Sequence, residues 1–207
     1  MLKKGVLIIL ALVVCFAGYY FFTKKNSDKD VVDTKETPLR ISKNTDQLNS
    51  SLEATLNTYY ALHDGLVRWA PTDSIAGIAD SLAKLTAKIP YTDIKADSLL
   101  IQTAESYGKA IAEACVAMKS DTDIVGQRHN FYTAGEALYN LLRTVQFDKK
   151  TVYHVKCPMA FNGDEEGFWL SDSAKVVNPY FGTKDPSYHS GMLHCGSVED
   201  SVYFVHS

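Results

Sequence analysis

At 207 residues the chain holds one well-filled domain plus an appendage, and 46% hydrophobic with 22% charged residues is a globular balance, not a disordered or fibrous one. A net charge of −3 excludes the strong positive field that nucleic acid demands. Lys3, Lys4, Lys24 and Lys25 sit near the start, and the remainder carries 17 basic against 24 acidic residues, which disfavours polyanions and weakly favours cations.

Gly5 to Phe22 is an uninterrupted apolar run. As a helix it spans roughly 27 Å at about 1.5 Å per residue, close to the hydrocarbon thickness of about 30 Å. Lys3 and Lys4 ahead of it favour a cytoplasmic N-terminus, and Tyr19 to Phe22 form an aromatic belt at the outer interface. Residues 1–25 are therefore expected to be a single-pass membrane anchor with the body periplasmic. A cleaved signal peptide is the main competitor, with Cys15-Phe16-Ala17 as a passable cleavage site. Lipoprotein processing at Cys15 is a third route, which bulky Val14 disfavours. All three deliver the body to the same side of the membrane. Residues 26–44 are polar and charge-rich without an apolar period, and read as a tether.

Four segments then carry helical periodicity. From about Thr45 to Arg68, Leu48, Leu52, Leu56, Tyr59, Leu62 and Leu66 recur at steps of three or four. Pro71-Thr72-Asp73 opens a second helix, with Ile75, Ile78, Leu82, Leu85 and Ile89 on one stripe and Pro90 as terminator. A third runs from about Asp93 to Lys119, with Leu100, Ala104, Tyr107, Ile111, Cys115 and Met118 inward. The fourth begins at a cap on Asp121 or Thr122 and carries Ile124, Phe131, Leu138, Leu141 and Val145. Short connections imply antiparallel neighbours. The expected fold is mainly α: an antiparallel, about four-helix up-down bundle over residues 45–148, a loop-rich C-terminal cap with short β-strands over residues 149–207, and the N-terminal transmembrane helix. Within the bundle, Cys115 and Met118 read as core. Trp69 reads as a packing anchor, and His129, next to Arg128, as a surface or interhelical hydrogen-bond donor. His63 and Asp64, as sequence neighbours on a helix, should point apart. No Gly-rich phosphate loop, di-carboxylate metal motif or nucleophile elbow occurs.

After Lys149-Lys150 the pattern changes. Thr151 to Lys156 reads as a short strand, followed by a stretch dense in Gly, Pro, Asn and aromatics, with 168–170 and 202–204 as strand pieces. This cap needs a metal, a disulfide or packing on the bundle to fix it. Two sulfur clips stand out: Cys157-Pro158-Met159 and Met192-Leu193-His194-Cys195-Gly196. Thiolate and thioether are soft ligands that suit Cu(I) or Ag(I). His194, or less readily His189 or His154, adds a nitrogen ligand that opens the site to Zn or Cu(II). The same Cys157 and Cys195 serve equally to close a disulfide in an oxidising compartment, or to alternate between the two states. Trp169, Asn178, Pro179, Tyr180, Gly182 and Gly196 shape the loops around the clips. Cys157 or Cys195 beside His154 or His194 imitates a Cys–His pair, but no third orienting group accompanies it, so a non-enzymatic role is expected.

Four motifs in this cap carry a resemblance: Cys157-Pro158-Met159-Ala160, Gly167-Phe168-Trp169-Leu170-Ser171, Asn178-Pro179-Tyr180-Phe181-Gly182 and Met192-Leu193-His194-Cys195-Gly196-Ser197. Together with Tyr60 to Leu66 and Arg128 to Tyr139, they resemble a bacterial domain of unknown function common in Bacteroidetes-type organisms. That domain often follows the periplasmic adaptor subunit of RND-type heavy-metal efflux systems and also occurs alone. The resemblance implies a metal role and an efflux component as partner. Tyr153 to Met159 also looks like the Cys-Pro-Met motif of small modules attached to copper pumps. The chain lacks room for an adaptor's hairpin and barrel domains. It carries an insert, Thr183 to Ser190, in which Tyr188-His189-Ser190 resembles a metal-associated tripeptide.

Overall fold

The computed structural model describes residues 42–204; the apolar run, Cys15 and most of the tether lie outside them. Among the described residues no helix is long and apolar enough to cross a membrane.

Helix α1 (Asp46–Val67) begins where the Thr45 hydroxyl accepts from the Leu48 N–H at 3.1 Å, a side-chain N-cap. Its six-residue apolar stripe is fully buried, each side chain contributing roughly 1.5–3 kcal/mol. The helix ends with Trp69 N–H on Leu66 O and Ala70 N–H on Gly65 O, the paired bonds of a Schellman motif. Trp69 takes the left-handed position at φ 56°, which a bulky residue adopts only when its surroundings hold it.

Helix α2 (Thr72–Thr86) follows Pro71 and stops before Pro90. A 3-10 turn (Tyr91–Asp93) comes next, and α3 (Ser98–Ser120) starts only where Asp97 caps the Leu100 N–H. The third helix is thus shorter at its start than its periodicity predicts. Helix α4 (Ile124–Thr144) is capped by Asp123, while Asp121 instead accepts from the Asn130 side chain at 2.8 Å. Each helix packs on the next in sequence.

Three strands complete the fold: β1 (Val152–Phe161), β2 (Glu165–Ser171) and β3 (Ser197–Val202), antiparallel in the order β2-β1-β3. β2 and β3 contact α4. Helical and sheet residues share one apolar cluster, in which Leu56, Phe131 and Leu138 join Val155, Cys157, Trp169 and Leu170. β1 runs past the expected end at Lys156 and takes Cys157-Pro158-Met159 into the sheet. Proline fits there because β3 pairs only as far as Lys156, and the register to β2 shifts between Cys157 and Phe161.

Candidate functional site

Alternation along β1 decides which side chains can meet. Cys157 lies opposite Gly167 and Val155 opposite Trp169, whereas His154 lies opposite Leu170 and Lys156 opposite Phe168. Val155, Cys157 and Trp169 therefore share one face of the sheet, and His154 and Lys156 the other. Cys157 is fully buried. Cys195 arrives from the turn before β3, where its N–H donates to Met192 O, and it is half-buried.

The two Sγ atoms stand 3.4 Å apart and both thiols are free. A disulfide needs about 2.05 Å. Two thiolates about 2.3 Å from one tetrahedral ion stand roughly 3.8 Å apart. The observed span lies between the two, so the sulfurs must part to clasp one ion and close to bond to each other. Burial, then the neighbouring Cys157 thiol, pushes the Cys195 thiol up to about 11. An incoming metal must therefore displace protons.

Gly196 makes the close approach feasible. It sits at φ 141°, and a Cβ there would lie 2.5 Å from Lys156 O and 3.0 Å from the Trp169 ring.

The Cys195 arm is held by buried Asn178. Its Nδ2 donates to Cys195 O at 2.7 Å, and its backbone N–H donates to Leu193 O at 2.8 Å. Its Oδ1 accepts from the N–H groups of Tyr180 at 2.8 Å and Phe181 at 3.2 Å, forming a tight turn that Gly182 closes at φ 61°. That turn is bolted to the helices. Arg128 donates to Pro179 O and Phe181 O, Trp69 Nε1 donates to Phe181 O, and Thr183 donates to Val67 O. His63 Nε2 lies 2.8 Å from Val177 O.

The other expected ligands distribute differently. Met159 and Met192 are half-buried and pack against the apolar cluster. His194 is exposed, with Nδ1 2.7 Å from Val176 O. His189 is exposed in a loop, its N–H donating to Asp185 O. His154 lies on the face opposite Cys157, with Nε2 2.6 Å from Glu136 Oε1 and its ring between Tyr139 and Phe168. Among the described residues no three His, Cys, Asp or Glu side chains gather as a metal-holding group. Trp169 is buried, and its Nε1 has no hydrogen-bond partner among the described residues. Tyr180 lies edge-on to Trp169, and its hydroxyl donates to Phe168 O. Pro179 is buried and offers its carbonyl to Arg128.

Sequence reasoning passes over two anchors, Arg128 and His63. Arg128 is buried and stacks on Trp69 at 4.3 Å. His63 and Asp64 do touch, Nδ1 to Oδ1 at 3.2 Å. That contact holds the Asp64 carboxyl below its ordinary value. The legible signals were an arginine in an apolar helix stripe and a tryptophan two residues past a helix end.

No family model, curated protein or solved structure matches this chain.

Proposed function

We propose that the chain is a non-enzymatic periplasmic protein that captures a soft metal ion, Cu(I) or Ag(I), between Cys157 and Cys195. In this reading the apolar N-terminal run is its membrane anchor, the helices form an up-down bundle, and the C-terminal segment is the metal-bearing cap. One observation carries it: two free thiols from distant segments converge at 3.4 Å. Such a donor set disfavours Mg²⁺ or Ca²⁺ and favours an ion content with two sulfurs. Met159 and Met192, each within three residues of a thiol, are thioether donors for a third or fourth position. The resemblance to a domain accompanying heavy-metal efflux adaptors supports the same reading and names an efflux component as recipient.

The test is a Cu(I) titration of the reduced full-length chain in detergent micelles against a competing chelator. Stoichiometric binding that disappears in Cys157→Ser/Cys195→Ser is expected. Equal binding by that variant overturns the proposal.

A second reading rests on the same separation: the two sulfurs need little movement to bond, giving a disulfide-stapled interaction module of the envelope. Non-reducing mass spectrometry of protein taken from the envelope separates the two. A quantitative Cys157–Cys195 bridge favours the staple.

A further inference from the structure

The two thiols meet between neighbouring strands and a braced segment. Cys157 lies on β1; Cys195 stands two residues before Ser197, which pairs with Lys156 on β1, and on its other side the Cys195 arm leans on residues 177–182, which Arg128, Trp69 and His63 fasten to the helices. Asn178 joins this segment to the arm by Nδ2 to Cys195 O at 2.7 Å; among the described residues a second side-chain link to the arm, from His194 Nδ1 to Val176 O, does not reach Cys195 itself. The same side chain shapes the turn through its Oδ1. We propose that Asn178 is a positioning residue that sets the distance between Cys195 and Cys157. This rests on the thiol-pair reading of the site and deepens it.

The two halves of the amide give a discriminating substitution. Aspartate keeps both acceptor bonds to the Tyr180 and Phe181 N–H groups and loses the donor, setting an oxygen against Cys195 O. If Asn178 only shapes the turn, Asn178→Asp costs stability by burying a carboxyl group but leaves the affinity of the thiol pair at the wild-type value. If it positions Cys195, the substitution separates the thiols while the turn persists.

The probes are phenylarsenoxide and Ag(I), applied to the reduced full-length chain in micelles. The arsenical needs two neighbouring thiols: its arsenic forms two As–S bonds, both thiol protons leave, and its two As–OH groups depart as water. Asn178→Asp is compared with Asn178→Ser and with Met118→Ala, a buried α3 residue that serves as a stability control. Asn178→Asp and Asn178→Ser should weaken arsenical and Ag(I) binding about 10- to 100-fold, the range for groups that orient a ligand. Met118→Ala should lower the thermal midpoint and leave both affinities intact. Wild-type affinity for the arsenical in Asn178→Asp overturns the proposal. So does failure of both Asn178 variants to fold, which makes the residue a folding requirement instead. If the wild type takes up the arsenical and ignores Ag(I), the metal reading fails while the arsenical comparison still decides the role of Asn178.

Discussion

The indole of Trp69 and the guanidinium of Arg128 stack 4.3 Å apart and donate to the same carbonyl, that of Phe181. This shared acceptor explains two costly local features. Trp69 holds a left-handed backbone, and Arg128 is a buried cation whose ionisation burial pulls down to about 10, with Asp185 opposing the shift. Each is retained by what it fastens. Trp69→Phe removes one N–H and should cost about 1 kcal/mol in urea denaturation. Arg128→Ala removes two charge-assisted bonds and the stack, and should cost about 2–4 kcal/mol. Comparable losses in the two variants would contradict this ranking.

Gly196→Ala tests the close approach of the Cys195 arm to β1. The new Cβ meets Lys156 O, a backbone atom with little freedom to retreat, and the left-handed φ adds strain. A loss of about 1–3 kcal/mol is expected, with Ag(I) affinity falling alongside. Gly163→Ala is the control: it also has positive φ, at 84°, but a Cβ there meets nothing within 4 Å. It should leave the affinity unchanged.

Periodicity made the helices legible because nearly every predicted inward residue faces the shared core, from Leu48 in α1 to Val145 after α4. The failures have local causes. Asp97 outcompetes Asp93 as a helix start because Pro90 and the 3-10 turn consume the intervening residues. β3 lies earlier than the strand piece expected at 202–204, because Ser197–Val202 is an edge strand exposed along all but its last residue and needs no apolar alternation. The two cysteines could be singled out by chemistry, and the sheet register explains why His154 does not join them. The partners of Arg128 and Trp69 were beyond reach, since both side chains bond to backbone carbonyls whose position no spacing encodes.

His154 should prove a structural residue. Its ring lies 4.0 Å from that of Tyr139 and 4.8 Å from that of Phe168, and Nε2 engages Glu136. His154→Phe keeps an aromatic in the stack and strands the carboxylate. Stability should fall by about 1–3 kcal/mol, while Cu(I) affinity stays at the wild-type value. A matching loss of affinity would return His154 to the ligand set.

Alkaline pH should erode the helical core. Burial pushes the Cys115 thiol up to about 12, and burial followed by the Glu105 charge pushes the Tyr91 hydroxyl up to about 12. Both groups are held neutral in the folded chain. Their contribution is complete below the unfolded values of about 8.5 for cysteine and about 10 for tyrosine, and drains away as pH rises toward the folded values. Urea midpoints under reducing conditions should be flat near neutrality and decline above about pH 8.5. In Cys115→Ala the decline should be shallower, the part that remains below tyrosine ionisation coming from Cys195, whose thiol is also pushed up. An unchanged slope would exclude the Cys115 thiol as a source.

Oxidation gives the sharpest contrast between the two states of the sulfur pair. Joining Cys157 Sγ to Cys195 Sγ spans 38 residues of chain. In the chain-entropy model that closure stabilises the fold by roughly 4 kcal/mol. Because the sulfurs already stand 3.4 Å apart, little native strain should subtract from that gain. The oxidised chain should therefore unfold at higher urea than the reduced chain, with two fewer titratable thiols after denaturation, and should no longer bind Ag(I). Buried Cys115 supplies the internal reference, remaining free in both states. Cys157→Ser/Cys195→Ser should unfold identically with and without oxidant. Should oxidation leave the wild-type midpoint unmoved while the thiol count drops by two, the bond would be storing strain, and clasping an ion would be the pair's more favourable use.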